Sequence, residues 1–263
     1  MEIQPIYEER ELLIYRDGSR ATARHPIVAE SPLTIMLNGE ELATMLCSPH
    51  SLELLAVGFL VGEGILQSRH DLKDIACRSE QGVVWVETTD GATRLDGFLR
   101  RNFASCCGKG RPALHFLNDY EQIQPITHMT RFAVKDLVSW ATLLDKEAKI
   151  FRLTGGVHEA ALAYGEGFVA SYEDIGRHNA LDRILGYAFL NDIDTSDKAV
   201  ILSSRISSEM LTKVARMGAP IVVSRAALTC LSIDLAEQLG ITLVGFARGN
   251  NLNVYTHPGR VVE

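Results

Sequence analysis

The chain has 263 residues, a hydrophobic content of 46% and a formal charge of −7. That length and apolar share support one large or two ordinary globular domains with a well-buried core. The acidic balance argues against a nucleic-acid binder and against binding to an anionic membrane surface, while leaving room for a local cationic patch that takes a phosphorylated small molecule.

The first residues, MEIQPIYEERELLIYRDGSR, mix acids with apolar side chains and lack the cationic and apolar regions of a secretory signal. No apolar run is long enough to span a bilayer. Five cysteines, Cys47, Cys77, Cys106, Cys107 and Cys230, form an odd set without a disulfide framework. Such usage points to a reducing compartment, the cytoplasm.

In chain order, SPLTIMLNGEELATMLCSP predicts two strands joined by a turn at Asn38-Gly39. Ser48 is placed to cap a helix in which Leu52, Leu55, Ala56, Phe59 and Leu60 recur at helical spacing. VVWVETTDGATRL predicts a further strand pair turning at Asp90-Gly91. These elements make a small mixed α+β domain over residues 1–125, ending in the loop RNFASCCGKGR, residues 101–111. A boundary is expected between Asn118 and Thr130, where Pro125 interrupts a stretch of little periodicity.

A second domain, 126–263, opens with the amphipathic helix VKDLVSWATLLDKEAK, with Val138, Ala141 and Leu144 on its apolar side. The strands GFVASY, KAVILSS, APIVVS and ITLVGF then alternate with the helices ALDRILGYAFL, SSEMLTKVARMG and LSIDLAEQLG. That alternation predicts an α/β fold built on a mainly parallel sheet covered on both faces, with Gly218 and Gly240 ending helices.

Cys106 and Cys107 are flanked by Arg100, Arg101, Lys109 and Arg111, whose charges favour a thiolate, and by glycines that leave room for a partner. A vicinal disulfide is strained, because adjacent Cα atoms lie about 3.8 Å apart against a usual ~4.4–6.8 Å. Zinc ligation lacks the C-x-x-C spacing. A cation-flanked nucleophile is the reading that remains, while Cys47, Cys77 and Cys230, set among aliphatic residues, are expected to be buried and inert.

TGGVHEAAL, with Gly155-Gly156 before His158, reads as a glycine-rich helix start able to hold an anion, or as a simple capped turn. YEDIGRHNALDRILG gathers Glu173, Asp174, Arg177, His178, Asn179 and Asp182 at a strand-to-helix junction, where ligands of open α/β sheets collect. Arg205 in SSRISSE and Arg248 in ARGNN add cations at two more strand ends. One shared pocket is expected, with His158, Arg177, His178 and Asn179 as candidate cofactor-binding residues.

TGGVHEAAL, EDIGRHNALDRILG, SSRISSEM, APIVVSRAALT, ITLVGFARGNNLNVYTHP and SPHSLELLAVGFLVGEGIL together resemble the formate dehydrogenase accessory sulfurtransferases, the FdhD family. The similarity covers most of the chain beyond the first twenty residues. It implies a cytidine deaminase-like α/β/α second domain, without deaminase activity, since His158-Glu159 has no P-C-x-x-C to complete a zinc site; no metal ligands are expected.

The resemblance also implies a cytoplasmic homodimeric sulfur carrier. Such a protein accepts sulfur from a cysteine desulfurase as a cysteine persulfide. It passes that sulfur to the molybdenum bis(molybdopterin guanine dinucleotide) cofactor, or its tungsten analogue, before insertion into formate dehydrogenase. The family's cofactor-binding stretch corresponds to Phe246, Ala247, Arg248, Gly249, Asn250 and Asn251. Many members carry C-G-x-C-G where this chain has Cys106-Cys107-Gly108-Lys109-Gly110. Others carry one cysteine in a C-G-K-G context, which places the reactive sulfur on Cys107 and leaves the part of Cys106 open. The competing reading is a molybdenum-cofactor chaperone without cysteine chemistry.

Overall fold

The computed structural model describes residues 5–89 and 123–263. The strand expected beyond Asp90-Gly91 and the Cys106-Cys107 loop lie outside the described residues.

β1 (Tyr7–Arg16) and β2 (Ser19–Val28) pair antiparallel as an isolated ribbon. Asp17 and Gly18 turn it with φ of 49° and 78°, the left-handed pair that a tight hairpin requires. The same chemistry joins β3 (Ser31–Leu37) to β4 (Glu40–Cys47), where Asn38 and Gly39 have φ of 51° and 86°, as the sequence predicts. With β5 (Leu72–Arg78) and β6 (Val83–Thr88) these strands form a four-stranded sheet in the order β4-β3-β6-β5.

α1 (Leu52–Gly62) covers that sheet, laying Leu52, Leu55, Ala56, Phe59 and Leu60 on Leu33, Ile35, Leu37, Val84 and Val86. Ser48 does not cap it. Ser51 occupies the capping position, and the Ser48 hydroxyl instead accepts the Ile175 N–H at 3.2 Å. A tie across 127 residues outcompetes the local cap.

The second half is a layered structure on a six-stranded sheet ordered β13-β12-β11-β10-β8-β9. Its strands are β8 (His158–Tyr164), β9 (Gly167–Asp174), β10 (Ala199–Leu202), β11 (Ile221–Ser224), β12 (Thr242–Arg248) and β13 (Asn251–Val254). One face packs under α2 (Val134–Glu147), through Leu137, Trp140, Ala141 and Leu144. The other packs under α4 (Arg177–Leu190), α5 (Ser208–Met217) and α6 (Cys230–Leu239). A short α3 (Lys149–Thr154) precedes β8, and β7 (Phe132–Ala133) pairs with the terminal β14 (Val261–Val262).

Three expectations need correction. Only β10, β11 and β12 run parallel, while β8, β9 and β13 are antiparallel to their neighbours, so the sheet is mixed. TGGVHEAAL holds no helix start: Gly155 ends α3 in the left-handed region at φ 67°, and the alanine run is β8. Ala160, Ala161, Leu162 and Ala163 are fully buried, because this strand lies between helices on both faces and small side chains let both layers approach. Cys230, expected inside, is exposed at the start of α6, whereas Cys47 is buried and its thiol is pushed up to about 12, chiefly by desolvation.

The two halves interlock. Gly58 of α1 and Gly186 of α4 meet where each helix backbone fills the space a Cβ would need: a methyl on Gly58 would overlap the Asp182 carbonyl, and one on Gly186 the Leu54 carbonyl. Beside this crossing, buried Arg183 pairs with Asp174 and donates to the Ser48 and His50 carbonyls at 2.8 and 2.9 Å.

Candidate functional site

Because β10, β11 and β12 are parallel and β8 is antiparallel to β10, the carboxyl ends of the first three and the start of β8 share one edge of the sheet. The Ser203 N–H extends this pairing to the Glu159 carbonyl at 3.0 Å, and His158 stands opposite Asp174 at the end of β9. This edge brings together the sequence-predicted clusters. From β12 to β8 there are three interstrand steps, roughly 14 Å at ~4.8 Å each. The clusters therefore stand along one extended edge with two ends.

The β8–β9 end carries His158, Arg177 and His178. Burial, followed by the charge of Arg177, lowers the His158 pKa, which favours a neutral imidazole. His178 Nε2 lies 3.2 Å from Glu209 Oε2, within reach of ion-pair attraction but without hydrogen-bond geometry, so that buried nitrogen has no hydrogen-bond partner among the described residues. Beneath it Asp182 accepts two contacts from Lys213, at 2.5 and 2.7 Å; desolvation nonetheless raises its pKa.

Not every polar residue of this junction faces outward. Both Asp174 oxygens are engaged, one by Gly176 N–H and the Asn179 amide, the other by Ser48 N–H and Arg183. Asn179 is buried and donates also to the Leu46 carbonyl at 2.9 Å. The Glu173 carboxylate accepts the Ile150 and Phe151 N–H groups at the start of α3, at 2.9 and 2.8 Å. These side chains hold the ground on which Arg177 and His178 stand.

The β12 end is the turn into β13. Phe246, φ 51°, is exposed at a register shift between Gly245 and Arg248, and Gly249, φ 57°, makes the reversal. Arg248, Gly249, Asn250 and Asn251 are exposed, whereas Ala247 is fully buried in the core against α2. Arg248 Nε donates to the Arg225 carbonyl at 2.7 Å, and the Arg225 guanidinium pairs with Asp145 of α2. Sequence reading passed over Arg225. The signal was the repeated Ser-Arg pair, Ser204-Arg205 after β10 and Ser224-Arg225 at the end of β11, which places arginines at neighbouring strand ends.

Two hydroxyls fix this edge. Ser224 Oγ donates to the Ser204 carbonyl at 2.7 Å and accepts the Ala226 N–H at 2.9 Å, and Ser203 Oγ accepts the Glu159 N–H at 2.9 Å. An acidic chain thus concentrates guanidinium groups along one preorganised edge, an arrangement suited to an elongated ligand bearing phosphates. Among the described residues no three His, Cys, Asp or Glu side chains are grouped to hold a metal ion, and no helix is long and apolar enough to cross a membrane.

Residues 28–262, which include both ends of this edge, match the sequence model of the FdhD/NarQ family. The chain belongs to the FdhD/NarQ family. FdhD/NarQ relatives agree over nearly the whole length. A protein named sulfur carrier protein FdhD from Geobacillus kaustophilus (strain HTA426) is 40% identical over 256 residues, 97% of each chain. Proteins of the same name from Bacillus pumilus (strain SAFR-032) and Staphylococcus aureus (strain MRSA252) are 38% identical over 98% of each chain and 40% identical over 95% of this chain and 94% of theirs. Among solved structures, a protein assigned as a formate dehydrogenase accessory protein from Desulfotalea psychrophila superposes with a TM-score of 0.81 at 26% identity. That match spans 98% of this chain and 100% of the other. The mixed α/β architecture is therefore that of an FdhD-type accessory protein.

Proposed function

We propose that this chain is a cytoplasmic sulfurtransferase that carries sulfur as a persulfide on Cys107. It takes the sulfur from a cysteine desulfurase and delivers it to molybdenum bis(molybdopterin guanine dinucleotide), or the tungsten analogue, destined for formate dehydrogenase. The observation that carries this reading is the cationic sheet edge, whose two ends suit a long, phosphate-bearing cargo. The full-length likeness to relatives named sulfur carriers supports it. Assembly as a homodimer belongs to the same reading.

In the loading step the Cys107 thiolate attacks the terminal sulfur of the donor persulfide; a new S–S bond forms on Cys107 and the donor cysteine leaves as a thiolate. Arg100, Arg101, Lys109 and Arg111 favour the attacking thiolate. The sheet edge binds and orients the cargo, with Arg248 and the exposed turn 249–251 at one end and Arg177, His158 and His178 at the other.

The test is to incubate the protein with a desulfurase and radiolabelled cysteine. Cys107→Ala is expected to lose label at least tenfold, and Cys106→Ala shows whether the neighbour shares the sulfur. If both single variants keep full label, the nucleophile assignment is wrong. If a variant lacking both cysteines still activates formate dehydrogenase, the protein is a cofactor chaperone without cysteine chemistry.

A further inference from the structure

Arg225 and Arg248 are held side by side although they repel. Arg248 Nε is bonded to the Arg225 carbonyl at 2.7 Å, and the Arg225 N–H is bonded in turn to the Leu202 carbonyl at 3.1 Å, so the backbone beneath both arginines is fixed. Among the described residues the carboxylate paired with Arg225 is Asp145, which reaches it from the last turn of α2 while more than half exposed, at 57%. Arg225 Nε is buried and has no hydrogen-bond partner among the described residues. A guanidinium with an unused buried donor, a like charge beside it and an exposed carboxylate against it is short of negative charge. Desolvation and the Arg248 charge both disfavour protonated Arg225, in line with that deficit.

We propose that Arg225 and Arg248 form a clamp for a phosphate or pyrophosphate group, and that Asp145 is a built-in counter-ion which that group displaces. The fixed ladder beneath the pair lowers the ordering cost of binding. An exposed carboxylate is a suitable occupant, because surface ion pairs are weak and exchange readily for a ligand of higher charge. The identity of the ligand as a guanine dinucleotide rests on the function proposed above; the anion chemistry stands on these contacts alone.

The experiment is calorimetric titration of the full-length protein at low salt with inorganic pyrophosphate, GDP and guanosine. Arg225→Gln and Arg248→Gln are each expected to weaken pyrophosphate and GDP binding at least tenfold, and Asp145→Asn to tighten both about threefold or more. Guanosine, without phosphate, is expected to bind equally to all four proteins. Thermal unfolding confirms that each variant folds. Should Arg225→Gln not fold, Asp145→Asn, which keeps both arginines, decides the matter by the direction of its effect. Binding of Arg225→Gln within twofold of wild type, weaker binding by Asp145→Asn, or no binding of either anion by wild type overturns the clamp. Wild-type binding of pyrophosphate but not GDP keeps the clamp and sinks the guanine cargo. GDP binding that survives Arg225→Gln does the reverse.

Discussion

Two titratable side chains near the end of β9, Glu159 buried and His50 half-buried, pull the pH dependence of stability in opposite directions. Glu159 is 3% exposed; Oε1 accepts the Ser171 hydroxyl at 2.7 Å and Oε2 has no hydrogen-bond partner among the described residues. Desolvation outweighs that single hydrogen bond and pushes its carboxyl from 4.5 up to about 7. The folded protein then holds a proton that the unfolded chain releases. Its contribution is complete below pH 4.5 and is lost as pH rises to about 7. His50 does the opposite. Burial and then Arg183 lower its pKa from 6.5 to about 4, while its neutral ring donates to the Glu173 carbonyl at 2.8 Å. That contribution is complete above pH 6.5 and is lost as pH falls to about 4. Each is worth about 2 kcal/mol after solvent screening, so across the shared window the two slopes nearly cancel. Urea unfolding at several pH values checks this. Glu159→Gln is expected to match wild type near pH 4.5 and to exceed it by about 2 kcal/mol at pH 8. His50→Gln is expected to leave stability falling with rising pH. Identical profiles for all three proteins would refute the assignment.

At the scale of elements, the crossing of α1 and α4 makes the strictest demand. Gly58 and Gly186 are required by the approach of two backbones, since any Cβ there overlaps a carbonyl of the facing helix. Gly186→Ala is expected to force the helices apart and to cost about 3 kcal/mol, the upper part of the overpacking range. The urea midpoint measures it, and a change below 0.5 kcal/mol, about the size of an exposed-surface substitution, shows that the crossing has slack. The glycines were visible in SPHSLELLAVGFLVGEGIL and EDIGRHNALDRILG, but their reason was not: a glycine inside a helix reads as a weakness until the helix that lies across it is known.

The ties between the two halves predict that the whole molecule unfolds as one body. Trp85 lies in β6 and Trp140 in α2, so each half holds one tryptophan. In Trp140→Phe the remaining fluorescence reports the first sheet, and its urea transition is expected to coincide with the loss of far-ultraviolet circular dichroism from both halves. Separate midpoints would mean that the halves melt independently. Arg183 is the side chain to remove next, because Arg183→Leu leaves Asp174 buried without its counter-ion, at an expected cost of about 3–5 kcal/mol.

Much of the fold was legible without neighbours. Asn38-Gly39 encodes its own turn, Gly218 and Gly240 end α5 and α6 in left-handed conformations of φ 82° and 68°, and apolar periodicity locates the ends of α2 and α4 to within three residues. These follow from dihedral preference and side-chain spacing, which act over a few residues. At the site, the strand ends bearing Arg177, His178 and Arg248 were legible for the same reason. The alanine run of β8 was not, because alanine favours helix locally and only burial between two helical layers selects the strand. Nor was the use of Ser48, whose hydroxyl serves Ile175 at the far side of the junction. Arg225 became part of the edge only when parallel pairing set it beside Arg248 and under α2. Sequence by itself determined the turns, the helices with clear apolar periodicity, the β-branched strands and which residue types bear the chemistry. Tertiary structure alone decided strand direction, which polar groups are consumed in holding the two halves together, and which are left at the edge, because those outcomes depend on partners distant in the chain.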